Sequence, residues 1–267
     1  MSETQTAAQT ATQAATPTMP PAETPVTAQP EIQIQTGIQV ETLTESRAVA
    51  QAELLLTESA ATPPTVHVAV YDTYADWETG HTTAHLTQHG YEVRTVGVTA
   101  GRPVTTMGGL RIQPDLALAD LRPEESSLLI LTGAGLWDAG DELAPFAAKA
   151  EEFLAAGVPV AAICGATAGL ARAGVLDGRT HTSAAPFYLV GQPGYAGAER
   201  YVEADAVTDG DLITAGPTEP VAFAREVFDR LGVYEPHVLD AWYRLFHDSD
   251  TSAYPVLMAA AAEPSDA

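Results

Sequence analysis

Residues 158–167 read VPVAAICGAT. The first six carry no polar side chain, and so short an apolar run reads as a strand buried on both faces. Residues 165–173 continue as a helix, which Gly174 stops. Strand and helix therefore meet at Cys164 with no loop between them. Ala162 and Ala166, two positions to either side, are small enough for so sharp a turn. This is the pattern of a nucleophile elbow with cysteine in the place of serine. The turn lifts the side chain above the carboxyl edge of the sheet, where open α/β sheets bind ligands. The dipole and free N–H groups of the helix N-terminus would draw the thiol pKa below its ordinary value of about 8.5. The bland alternative is an inert core cysteine, the usual fate of a lone thiol.

The alternation extends to both sides of this segment. Strands are expected at residues 66–71, 91–98, 128–132, 179–183, 204–209 and 212–215. Helices are expected at 76–89, 141–156, 217–231 and 236–247. Asp209-Gly210-Asp211 is the turn between the last two strands. Strands alternating with helices of this length imply a mainly parallel sheet covered on both faces, a three-layer α/β sandwich. There is no internal repeat. Neither G-x-G-x-x-G nor G-x-x-x-x-G-K-[ST] occurs, which argues against a nucleotide site.

The 267 residues include 12 basic and 35 acidic ones, a formal charge of −23. Such a field opposes non-specific binding to nucleic acid or to an anionic membrane surface. Lys149 is the sole lysine, against eleven arginines and fifteen aspartates. A surface of this kind repels itself in dilute buffer and is eased by salt, which points to a salt-adapted, halophile-like cytosol. A GC-rich genome that favours Arg, Ala and Asp codons gives the other explanation. One cysteine excludes an internal disulfide framework and an all-thiolate metal site. No apolar run reaches about 18 residues and no secretory signal opens the sequence, so a soluble cytoplasmic protein is expected.

Residues 1–63 are rich in Thr, Ala, Gln, Pro and Glu and hold no Phe, Tyr or Trp, the composition of a disordered tail. Within them, residues 46–56 (SRAVAQAELLL) have the start and finish of a short helix. The folded domain is placed at 64–258 and a second disordered tail at 259–267. His81, His85 and His89 share one helical face, but no further ligand motif accompanies them. A packed or solvated face is expected there, and no metal. Trp242, Tyr243 and Phe246 read as a packing stripe.

Five segments together resemble the ThiJ/PfpI family, also called DJ-one/PfpI, over residues 66–247. They are Asp76-Trp77-Glu78-Thr79, Thr132-Gly133-Ala134-Gly135, AICGAT at 162–167, AGVLDGR at 173–179 and LITAGP at 212–217. The resemblance implies the glutamine amidotransferase-like (flavodoxin-like) fold. It places Glu78 beside the Cys164 nucleophile and matches Gly133 and Ala134 to the family's Pro-Gly-Gly turn. The N–H groups of Ala134 and Gly165 would then hold an oxyanion. Two departures stand out. Protease-like members have a histidine directly after the cysteine, where this chain has Gly165, so a peptidase is not favoured. Other members carry a histidine where this chain has Ala184; His181, three residues earlier, is the candidate replacement.

The function so implied is a cysteine-dependent hydrolase or lyase acting on a small carbonyl or acyl compound, a methylglyoxal-type aldehyde above all. Cys164 attacks, Glu78 moves the proton, His181 assists, and no cofactor takes part. The family resemblance also implies a homodimer. An ionised Glu78 would raise the thiol pKa, whereas a protonated one donating to sulfur would lower it. A Glu78 with a raised pKa and a largely ionised Cys164 are therefore expected. A non-catalytic redox-sensing or stress-protective protein would use the same thiolate. A glutaminase is a weaker alternative, because the late H-x-E motif of true class I glutaminases does not occur.

Overall fold

The computed structural model describes residues 63–262. The expectations for residues 1–62, the short helix at 46–56 among them, and for 263–267 lie outside the described residues. The strands are β1 (Thr65–Ala69), β2 (Glu92–Gly97), β3 (Val104–Thr105), β4 (Arg111–Ile112), β5 (Leu116–Ala117), β6 (Leu128–Leu131), β7 (Val160–Ile163), β8 (Ala206–Asp209) and β9 (Leu212–Ala215). β3 and β4 pair as a separate hairpin. The other seven form one sheet in the order β5-β2-β1-β6-β7-β9-β8, parallel throughout except for β8 against β9. The helices are α1 (Gly80–Gln88), α2 (Ala144–Ala155), α3 (Gly165–Arg172), α4 (Pro186–Val190), α5 (Pro220–Leu231), α6 (Pro236–Phe246) and α7 (Tyr254–Ala262). No helix among the described residues is long and apolar enough to cross a membrane.

The centre of the sheet is buried because its strands are apolar on both faces. LLIL of β6 and VAAI of β7 are wholly inaccessible. The helices α2 and α3 pack together, as do α1, α5 and α6, which gives the outer layers of the sandwich. Trp137, Phe146 and Phe153 fill one part of the core, and Phe223, Phe228 and Trp242 another. Trp242 packs edge-on against Phe228 and at a tilt against Phe246, each with ring centroids 5.0 Å away, so the stripe on α6 is packing. Strand order reverses at β1, whose neighbours are β2 and β6. A crevice at the carboxyl ends of the strands beside such a switch point is where doubly wound sheets hold ligands. The segments following β1, β6 and β7 all end there.

Four local expectations need correcting. Residues 179–183 form no strand; His181 makes a single parallel bridge to Tyr201. The polar sequence explains this, because side chains take its N–H groups: Thr180 donates to Asp209 Oδ2 (2.5 Å) and Thr182 to Thr214 Oγ1 (3.0 Å). The expected helix 76–89 is split into a 3-10 turn, Asp76–Glu78, and α1. Thr106 Oγ1 donates to Asp76 Oδ2 (2.6 Å), which ties that turn to the β3–β4 hairpin. The expected helix 217–231 starts at Pro220, a residue suited to a helix's first position. Finally, the ordered domain passes residue 258, because α7 runs to Ala262.

Candidate active site

Cys164 lies between β7 and α3 with φ 57° and ψ −125°, a left-handed conformation that a non-glycine residue adopts at a cost of about 1–3 kcal/mol. The surroundings over-determine it. Its N–H donates to Ala215 O on β9 (3.0 Å), and its carbonyl accepts from Thr167 N (3.1 Å) and Thr167 Oγ1 (2.6 Å). Thr167 Oγ1 also shares a hydrogen bond with Ser183 Oγ (2.6 Å), which joins the elbow to the segment after α3. The helix can start this tightly because its glycines admit Trp137. A Cβ on Gly169 would lie 2.1 Å from Trp137 Cζ3, and one on Gly165 would lie 3.1 Å from Ala134 O and 3.2 Å from Trp137 Cδ1. The indole is fixed in turn, with Nε1 donating to Tyr71 Oη and Thr132 O, both at 2.9 Å.

Glu78 comes from the 3-10 turn after β1 and is wholly buried (0% exposed). Its Oε2 accepts the Gly133 N–H at 2.7 Å. A Cβ on Gly133 would lie 2.7 Å from Cys164 Cβ, 2.7 Å from Glu78 Oε1 and 2.8 Å from Oε2. Only glycine therefore lets these three groups converge. Glu78 Oε1 has no hydrogen-bond partner of good geometry among the described residues, and the Cys164 thiol is the side chain that acts on it. Burial pushes the Glu78 carboxyl up to about 7, against the lowering effect of the Gly133 N–H and the thiol. That agrees with the sequence expectation.

The thiol moves the other way from its expectation. Burial first, and the Glu78 carboxylate second, push Cys164 up to about 12; the Gly165 N–H at the helix N-terminus lowers it by less. Burial and the neighbouring carboxylate thus both oppose ionisation of the half-buried thiol. Two acids this close titrate as one unit. Burial and like-charge repulsion oppose ionisation of both, so near neutral pH the pair retains a shared proton that can pass between sulfur and carboxyl. Ala134 and Gly165 flank this pair, and their N–H groups make no backbone hydrogen bond among the described residues. The Gly165 N–H acts on the Cys164 thiol.

His181 is buried in a different environment. Its Nδ1 is held by Arg179 O and its Nε2 by Tyr195 Oη, each at 2.7 Å, and it packs edge-on against Tyr195 and Tyr201. Both ring nitrogens are engaged, and burial lowers its pKa, so it serves as a neutral packing residue. His85 is packed likewise, between Tyr234 Oη (2.7 Å) and Trp242 Nε1 (3.2 Å). One group of metal-capable side chains occurs among the described residues, Asp205, Glu219 and His247, within 4.8 Å of one another. His247 there is already paired with Asp248 (2.6 Å) and Asp205 (3.5 Å). Sequence reasoning missed Asp138 and Tyr188 near Cys164. Tyr188 Oη donates to Asp138 Oδ1 at 2.8 Å, and both residues interact electrostatically with Cys164. They are far apart in sequence, so no local motif could have joined them.

Comparison with known proteins agrees with this architecture. The model of the DJ-1/PfpI family matches residues 64–230. The chain is similar to a Bacillus subtilis protein described as "Uncharacterized protease YoaZ", 38% identical over 190 residues, which cover 67% of this chain and 89% of that one. It is 30% identical over 171 residues to "Protein/nucleic acid deglycase 2" of Escherichia coli, covering 62% of this chain and 97% of that one. The crystal structure of a thiJ/pfpI family protein from Bacillus anthracis superposes with a TM-score of 0.69 at 36% identity, covering 74% of this chain and 97% of that one. With its parallel sheet, its cysteine elbow and its buried glutamate, the chain belongs to the DJ-1/PfpI family.

Proposed function

We propose that the protein is a cofactor-independent cysteine hydrolase or lyase for small carbonyl compounds, with methylglyoxal-type aldehydes as substrates. The observation that carries this reading is the Cys164–Glu78 pair: a thiol on a strained elbow against a buried carboxyl with one free oxygen. As Cys164 Sγ bonds to the aldehyde carbon, its proton passes to Glu78, and the carbonyl electrons move to oxygen. The N–H groups of Ala134 and Gly165 stabilise that oxyanion, which takes the proton back from Glu78 to give a hemithioacetal and a carboxylate ready to act as base. Glu78 then moves the proton from the former aldehyde carbon to the neighbouring ketone carbon, while the hydroxyl proton on the former aldehyde carbon passes to the ketone oxygen, so that the first carbon becomes the thioester carbonyl and the second a hydroxyl-bearing carbon. The product is a lactoyl thioester, which water hydrolyses to lactate and free thiol. A Glu78 that titrates at about 7 can give and take protons at neutral pH.

The deglycase name of the Escherichia coli relative is in keeping with chemistry on aldehyde adducts. A peptidase finds less support. The position after Cys164 is Gly165, not histidine, with Ala134 O and Trp137 packed closely against it, and His181 is engaged elsewhere. The test is lactate formation from methylglyoxal with no added cofactor. Wild type should turn over, and Cys164→Ser and Glu78→Gln should each lose at least about a hundredfold in kcat/KM. Turnover by Cys164→Ser at the wild-type rate would overturn the reading.

A further inference from the structure

A ring of hydrogen bonds closes over the start of α3. Tyr188 Oη donates to Asp138 Oδ1 (2.8 Å), Gln192 Nε2 to Tyr188 O (3.0 Å), Arg172 Nη1 to Gln192 Oε1 (2.7 Å) and Arg172 Nη2 to Trp137 O (2.8 Å). The ring returns to Asp138 through the Trp137–Asp138 peptide. Trp137 is the residue whose indole lies on Gly165 and Gly169, so its chain neighbour Asp138 stands beside the elbow. The ring fixes two charges with opposite consequences. Arg172 is half-buried and turned onto a carbonyl and an amide within the ring. Asp138 is exposed, with Oδ1 held by Tyr188. Lys149, the sole lysine, is tied to Glu152 and Leu121 O.

We propose that Asp138, positioned by Tyr188, selects the substrates of the Cys164 site by charge, admitting carbonyl compounds that are neutral or cationic and rejecting those with a carboxylate beside the carbonyl. This rests on Cys164 being the nucleophile. A carboxylate-bearing substrate would bring a third negative group to Glu78 and Asp138, while the guanidinium of the ring, Arg172, is already committed to Trp137 O and Gln192. An amine-bearing or uncharged aldehyde meets no such barrier. That Asp138 raises the thiol pKa supports its electrical proximity to sulfur. Tyr188 is a positioning residue in this scheme: its hydroxyl holds the carboxylate at the rim instead of letting it swing into solvent.

The experiment compares the rates at which neutral, cationic and anionic methanethiosulfonates label Cys164 in the folded full-length protein at low salt. In each case sulfur forms a disulfide and methanesulfinate leaves, so the chemistry is the same and only the charge changes. The cationic reagent should outpace the anionic one by about tenfold, a preference that salt screens. Asp138→Asn should bring that ratio to within about twofold of unity, and Tyr188→Phe should lower it part of the way. Asp141→Asn removes the same charge from the same exposed loop and should leave the ratio unchanged, which separates Asp138 from the protein's overall negative field. A ratio in Asp138→Asn equal to that of wild type would overturn the proposal. Failure of even the neutral reagent to label Cys164 would overturn the nucleophile reading itself, and this inference with it.

Discussion

Replacing Glu78 by glutamine should change two properties of Cys164 in opposite directions. In the wild type, burial and the Glu78 carboxylate together lift the thiol from 9.0 to about 12. Glutamine keeps the shape and a hydrogen-bonding group near Gly133 but removes the negative charge, leaving burial as the main influence. Loss of a like charge in contact lowers a pKa by about one unit or more. At pH 8–9, where Glu78 is ionised in the wild type, the thiolate fraction should therefore rise about tenfold, and alkylation by iodoacetamide should accelerate by a similar factor, whereas well below pH 7 the two proteins should label alike. Turnover, which needs Glu78 to carry protons, should fall by at least about a hundredfold. The assay is the pH dependence of iodoacetamide labelling of wild type and Glu78→Gln, followed by intact mass, beside lactate formation by both. Slower labelling in Glu78→Gln would refute the reasoning. It would mean that Glu78 supports the thiolate as a donor and that the helix N-terminus, not burial, governs the thiol.

Gly133→Ala should abolish turnover, because its Cβ would lie 2.7 Å from both Cys164 Cβ and Glu78 Oε1; the same clash should cost about 1–3 kcal/mol of stability, read in urea unfolding. His181→Phe should lower Tm, since two buried hydrogen bonds worth about 1 kcal/mol each disappear, while kcat/KM stays within about twofold of wild type. His67 is held neutral by burial, with its pKa lowered from 6.5 to about 4, so the unfolded chain takes up a proton there before the folded one does. It should thus withdraw stability as pH falls from 6.5 towards 4. Glu78, raised to about 7, acts in the opposite sense over part of that range, so the measurement is the difference in Tm between wild type and His67→Gln across the window.

The elbow is readable from sequence because an unbroken apolar strand running into a small-residue helix leaves the backbone few alternatives. Gly133 and Glu78 are readable only through their resemblance to a family pattern; nothing local says that a carboxyl 86 positions before Cys164 in the sequence should touch it. The direction of the thiol shift is not readable at all. Sequence shows the helix N-terminus, but the burial that outweighs it is a tertiary property. Residues 179–183 mislead for a related reason: Thr-His-Thr looks like alternating strand, yet Asp209 and Thr214 side chains take the N–H groups a neighbouring strand would have used. Gly165 and Gly169 read as elbow and helix residues, whereas their shared task is to make room for Trp137.

The central claim is that Cys164 bonds to the carbonyl carbon and Glu78 moves the proton that follows. Acid quenching of the wild-type protein during methylglyoxal turnover, followed by peptide mass mapping, tests it most directly. An acyl adduct with the mass of one aldehyde should appear on the peptide containing Cys164, disappear when substrate is exhausted, and be absent from Cys164→Ser. Turnover without any adduct on that peptide, or with an adduct on another residue that persists in Cys164→Ser, would contradict the account.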